Sequence, residues 1–146
     1  MRWIIGVVFT AFSLAAAAND IGLVKTVSGA VHVEREGNRL PVQVGTAIRE
    51  SDVVVTGADG AVGITFNDNS LLSTGPNSVL AVDRYAFNPT THAGKFDASL
   101  RKGTLAVISG KMVKQSPESM KIRTPSAVMG VRGTEFVVQV DEPVKK

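Results

Sequence analysis

Short apolar runs broken by turn residues at close spacing constrain this chain most, because they leave no stretch in which a helical period survives. Val27, Val31 and Val33 open the pattern, Gly37-Asn38 turns the chain, and Val42 and Val44 resume on the far side. Asp52-Val53-Val54-Val55-Thr56 is a continuous run, suited to a strand covered on both faces. Gly57-Ala58-Asp59-Gly60 turns the chain before Val62, Ile64 and Phe66 alternate, and Asn67-Asp68-Asn69 turns it again before Leu71-Leu72. Gly75-Pro76-Asn77 precedes the β-prone segment Ser78 to Asp83, and Asn88 to Gly94 is expected to be an exposed loop joining two halves. Phe96, Ala98 and Leu100 alternate. Leu105 to Ile108 reads as a further buried strand bounded by Gly103 and Gly110, Lys111 to Ser119 as a longer polar loop, and Met120, Ile122 and Thr124 as another strand. Many short strands with frequent turns predict an all-β domain, with sandwich, barrel and β-solenoid all compatible with the pattern.

The first residues are of a different kind. Met1-Arg2-Trp3, the apolar run Ile4 to Leu14 and the small residues Ala15 to Ala18 have the layout of a secretory signal peptide, with cleavage expected after Ala18. The run is shorter than the ~20 apolar residues of a spanning helix, so no stable membrane insertion is expected after cleavage. The chain has no cysteine, which excludes a lipid attached to a cleaved N-terminal cysteine and a disulfide framework. The expected organisation is a signal peptide over residues 1–18 and one β-domain over residues 19–146, periplasmic or secreted. A domain of that size buries roughly two thirds of its unfolded surface and needs no staples.

The closing segment Thr124-Pro125-Ser126-Ala127-Val128-Met129-Gly130-Val131-Arg132-Gly133-Thr134-Glu135-Phe136 sets a proline turn, two glycines and one arginine ahead of an alternating strand. Pro125 has fixed φ and no N–H for a ladder, and Gly130 and Gly133 can adopt positive φ, so a bend is expected there. Beyond it Phe136, Val138 and Val140 fall on one strand face. Arg132 is expected to act as a structural clamp, its five-donor fork holding carbonyls or a carboxylate. Thr124, Pro125, Gly130, Arg132, Gly133, Thr134 and Phe136 are therefore read as residues that make the fold rather than a reactive site.

This stretch resembles the end of the FecR domain, a periplasmic β-domain named after the regulator of ferric citrate uptake. The resemblance continues through Val27-Ser28-Gly29-Ala30-Val31, through Gly45 and Asp52 to Gly60, and through Phe66-Asn67-Asp68-Asn69-Ser70 and Gly75-Pro76-Asn77-Ser78. Asn69 stands where the family usually has glycine, and asparagine is the next best residue for positive φ. The resemblance implies a twisted stack of short strands, solenoid-like or sandwich-like. FecR-like regulators relay the state of an outer-membrane receptor to a sigma factor, using a cytoplasmic segment, a spanning helix and a receptor-facing domain. None of those parts is expected in this chain, so the resemblance implies at most an accessory of such a system.

No constellation of catalytic type appears. His32 and His92 each stand alone, with no second ligand at metal-binding spacing, and no metal or cofactor is expected. Ser28 and Ser109 each precede a glycine without a nucleophile elbow. Asp52, Asp59, Asp68 and Asp83 sit at turns or strand ends, where aspartate hydrogen-bonds the backbone. An enzyme is therefore not expected.

Surfaces remain. The formal net charge of +3 is too small to argue for nucleic acid, but basic residues gather after Leu100. Arg101, Lys102, Lys111, Lys114, Lys121 and Arg123 are expected to form one basic face, and no aromatic residue is interleaved with them for stacking. Its expected partner is an anionic envelope polymer or an acidic protein patch. The last strand, followed by Asp141-Glu142-Pro143, is expected to be a protected edge. The function expected from the sequence is a non-enzymatic envelope module that binds an envelope protein, such as a receptor or membrane regulator.

Overall fold

The computed structural model describes residues 20–130 and 135–140. The expected signal peptide lies outside them. Among the described residues twelve strands form a single sheet that curls into two facing layers: β1 (Asp20–Ser28), β2 (Val31–Arg35), β3 (Asn38–Pro41), β4 (Ala47–Arg49), β5 (Val53–Thr56), β6 (Ala61–Phe66), β7 (Leu71–Thr74), β8 (Val79–Phe87), β9 (Gly94–Ile108), β10 (Met120–Arg123), β11 (Val128–Gly130) and β12 (Glu135–Val140). A short helix, α1 (Lys111–Gln115), and a 3₁₀ turn at Pro117–Ser119 follow β9.

The first layer runs β4-β1-β6-β7-β9-β12 and the second β3-β2-β5-β8-β9-β10-β11. β9 belongs to both. Its first part pairs with β8 and, in parallel, with β10; beyond Gly103 it pairs with β7 and β12. The sequence pattern suggests two strands here, because Gly103 interrupts the alternation. The structure has one strand of 15 residues bent at Gly103, where φ is +93°. An added Cβ there would stand 2.0 Å from Ser78 Oγ, so the bend requires the missing side chain as well as the positive φ.

Successive strands cross between layers at stacked corners. Gly57 N donates to Ala30 O at 2.8 Å, Asn77 N to Gly57 O at 2.9 Å, and Gly75 N to Thr104 O at 3.2 Å. The turns that punctuate the sequence thus bond to one another, and the architecture is a curled, mostly antiparallel half-barrel sheet. Asn69 has φ of +69°, consistent with its place at a position of positive φ.

One core fills the space between the layers. Phe66 of the first layer packs 5.5 Å from Tyr85 and 4.7 Å from Phe96 of the second, centroid to centroid. Ile48, Ile64, Leu72, Leu80, Leu100, Leu105 and Ile122 are fully buried around them. At roughly 25 cal/mol per Å² this burial is the principal favourable term in folding.

Several local expectations are corrected. Asn88 to Gly94 is a hairpin loop between the neighbours β8 and β9, not a junction of halves. β5 buries Val54 and Thr56 while Val53 and Val55 are half-buried, so the run faces the core on one side only. Lys111 to Ser119 is not a plain polar loop: α1 buries Met112 and Val113, and Lys111 N is held by Asp68 O at 2.8 Å. The flanking lysines hide this apolar pair from a pattern search. Gly130 lies within β11 without positive φ, and a Cβ there would meet nothing within 4 Å, so no bend is built on it.

Candidate functional site

Two rows across the outer face of the first layer carry little charge, with Lys25 exposed at the β1 bulge and the Arg49–Asp20 pair near the β4 edge. Cross-strand register aligns Glu135, Ile108, Leu71, Thr65, Leu23 and Ala47 in one row across β12, β9, β7, β6, β1 and β4. A second row holds Val137, Ala106, Ser73 and Gly63. Each occupies the outward position of its strand because its neighbours along the chain, such as Val138, Val107, Leu72 and Ile64, fill the core. Glu135 is the one charged side chain in the two rows. Leu23 and Ile108 are each 42 % exposed and Val137 66 %, so the face presents apolar surface to solvent.

The second layer has the opposite character. Arg101 on β9 and Lys121 and Arg123 on β10 point outward and are exposed, and Lys95 and Arg84 share the region. Acidic residues are interleaved: Asp97 lies between Lys121 and Arg84 in register, and Asp83 accepts a hydrogen bond from the Ser99 hydroxyl. The expected single basic face is therefore divided. The structure brings Arg101, Lys121 and Arg123 together, sets Lys102 half-buried beside the β9 bend, and places Lys111 and Lys114 on α1.

The closing motif begins with a hydrogen-bonded turn. Thr124 N donates to Ala127 O at 2.8 Å and Thr124 Oγ1 accepts from Ala127 N at 3.1 Å, closing the turn that holds Pro125. Phe136 packs against the core. Arg132, Gly133 and Thr134 lie outside the described residues.

Two buried polar groups went unrecognised in the sequence. Arg35 donates from Nε to Asp52 Oδ1 at 2.8 Å and from Nη2 to Oδ2 at 2.6 Å, while Asp52 Oδ2 also accepts from Arg49 N at 2.9 Å. Asp52 is fully buried, and its hydrogen bond raises the guanidinium pKa against the opposing effect of burial. Asp68 Oδ1 accepts from Ser70 N, Ser70 Oγ and Tyr85 OH at 3.2, 2.6 and 3.1 Å. Tyr85 OH in turn accepts from Asp68 N at 3.0 Å. Asp68 Oδ2 is buried without a partner among the described residues. Burial, then the charge of Asp68, raises the Tyr85 pKa well above that of a free tyrosine. Both groups are enclosed, so they organise turns and offer no open reactive atom. Asp68 through the Ser70 amide and Asp52 through the Arg49 amide make the local bonds expected of aspartate at turns, whereas Asp59 accepts from Ala30 N, 29 positions away, at 3.3 Å.

His32 stands 3.5 Å from Glu34, and His92 stacks on Phe87 in the hairpin loop with φ of +61°. Among the described residues no three His, Cys, Asp or Glu side chains are grouped to hold a metal ion. An open groove is lined by Glu34, Glu36, Arg39, Ser51 and Val53. The apolar rows escaped sequence reading because Leu23 and Ile108 look like core residues in any alternating pattern.

Comparison with known proteins adds the following. Residues 52–145 match the protein family described as FecR protein. No curated protein matches the chain. Among solved structures, one titled "Cell surface anchoring domain" is similar at 30% identity and a TM-score of 0.41, covering 42% of this chain and 83% of that one.

Proposed function

The chain belongs to the FecR family, and from that premise we propose that it is a non-enzymatic interaction module of the cell envelope, periplasmic or secreted, whose partner is an envelope protein such as a receptor or membrane regulator. The observation that carries this reading is the pair of rows across the first layer in which Glu135 is the one charge, with Leu23, Ile108 and Val137 exposed. A face of that kind gains by being covered, and a two-layer sheet presents it without ordering cost.

A second reading, binding of an anionic envelope polymer, is favoured by the grouping of Arg101, Lys121 and Arg123 on the opposite layer. Asp97 and Asp83 weaken it by interrupting the positive field.

Crosslinking of the tagged chain in intact cells tests both. Capture of one dominant envelope protein, reduced several-fold by Ile108→Lys and unchanged by a combined Arg101→Glu and Arg123→Glu variant, is the expected result. Capture that fails only in the double charge reversal, and falls with salt, would replace the protein partner with an anionic polymer. Sequencing the N-terminus of the exported form checks the localisation, with Asn19 expected first.

A further inference from the structure

The groove on the outer face of the second layer holds charges that the fold itself does not pair. Cross-strand register sets Arg39 of β3, Glu34 of β2 and Val53 of β5 side by side, while Val33 and Val54 fill the core beneath them. Continued two residues further, the same register brings Glu36 opposite Ser51, and these five residues line a space of about 420 Å³. Unlike charges directly opposite in a sheet normally attract one another. Arg39 nevertheless makes no ion pair with Glu34, and among the described residues neither Arg39 nor Glu36 has a side-chain hydrogen bond or ion pair. Glu34 meets the His32 ring at 3.5 Å, and Glu36 acts on Arg35 through space.

The walls of the groove are fixed. Arg35 grips Asp52 from the core side, and Ser51 N donates to Val82 O at 2.7 Å, so the Ser51 wall is tied to both β2 and β8. Glu36 occupies the tight turn between β2 and β3 with φ of +52°, a conformation that glutamate rarely adopts.

We propose that this groove binds a small diamino acid, a molecule with a carboxylate, an adjacent ammonium and a second ammonium on a short chain. Two carboxylates against one guanidinium give the groove one net negative charge, and such a molecule carries one net positive charge at neutral pH. The Arg39 fork suits a carboxylate through two parallel hydrogen bonds. Its cross-strand neighbour Glu34, with Cβ atoms about 4.5–5.5 Å apart, is placed to take the ammonium beside that carboxylate. Glu36 takes the distal ammonium, and Val53 offers apolar contact to the methylenes between. Two acids alone would accept any cation, and Arg39 is what restricts the groove to a molecule that also carries an anion. An open groove covers little of a ligand this small, so a dissociation constant on the order of 1 mM is expected. The site lies on the opposite layer from Leu23 and Ile108, and the inference is independent of the envelope-partner reading.

Titration of the isotope-labelled exported chain with L-lysine, followed through its amide chemical shifts, tests the proposal. Saturable shifts confined to residues 34–39 and 51–53 are expected. Norleucine, which lacks the distal ammonium, and cadaverine, which lacks the carboxylate, should each bind about fivefold more weakly or worse, the loss of one charged contact at a solvated site. Arg39→Gln and Glu36→Gln should weaken lysine binding by a similar factor and leave the thermal midpoint unchanged, since both side chains are exposed. No saturation at ~50 mM lysine, far above the expected constant, overturns the proposal. So do shifts centred on another surface. Cadaverine binding as tightly as lysine, with no loss in Arg39→Gln, overturns it too, because the two glutamates would then be a general cation site.

Discussion

Arg35 on β2 grips both carboxylate oxygens of Asp52 just ahead of β5, and its Nη2 reaches on to Ala47 O at 3.3 Å. Asp52 thereby ties the second layer to β4 of the first, because its Oδ2 also takes the Arg49 amide. Side-chain exposure of 22 % for Arg35 and 1 % for Asp52 means the carboxylate is the more costly member to leave alone. Removing one partner of a buried pair is strongly destabilising even where the intact pair contributes little.

Arg35→Ala is therefore expected to lower unfolding stability by about 2–4 kcal/mol, measured by urea denaturation. Partial solvation of Arg35 keeps the loss toward the low side for a buried pair. A loss under about 0.5 kcal/mol, the size of an ordinary surface change, would show that solvent replaces the guanidinium.

Two glycines with positive φ should respond differently to alanine. At Gly103 a Cβ would lie 2.5 Å from Ser78 Cα, which is backbone and cannot yield, whereas at Gly37 nothing lies within 4 Å. Gly37→Ala should cost about 1 kcal/mol from strained φ alone. Gly103→Ala should cost more than about 3 kcal/mol or prevent folding. Similar thermal midpoints for the two variants would mean the β9 bend is not as tight as described.

Tyr85 is the one tyrosine of the chain, so phenolate absorbance reports it alone. Its pKa is raised in the folded state by burial and by Asp68. The unfolded chain loses this proton near pH 10 while the folded chain keeps it. The stabilisation is thus complete below that pH and declines as the pH climbs beyond it. Absorbance should rise only together with loss of circular dichroism, and Tyr85→Phe should flatten the alkaline decline. Ionisation near pH 10 in a fully folded protein would refute the assignment.

Met112 is fully buried on α1 although lysines flank the Met112-Val113 pair in sequence. Met112→Ala is expected to cost about 2–5 kcal/mol, the range for a core methionine. A thermal midpoint within a degree of the parent would return residues 111–115 to the status of a surface loop.

Much of the fold is legible in the residues themselves. Period-2 alternation in Val62-Ile64-Phe66 and the turns at Gly57 to Gly60, Asn67 to Asn69 and Gly75 to Asn77 state strands and corners directly, since they depend only on neighbours along the chain. Of the closing motif, the turn at Thr124 and Pro125 and the inward face of Phe136 are legible, while the bend expected at Gly130 is absent. The basic site was legible only in part, because strand order separates Lys111 and Lys114 from Arg101, Lys121 and Arg123.

What the sequence determined by itself is the all-β class, the corner positions and the family, all carried by local backbone preference and short-range periodicity. Tertiary structure decided the rest. That β9 serves both layers, that Arg35 meets Asp52 and that Leu23 and Ile108 share an outer row all depend on cross-strand register. Register joins residues far apart along the chain, so alternation assigns a residue to a face while only the assembled sheet determines whether that face meets core, solvent or another strand.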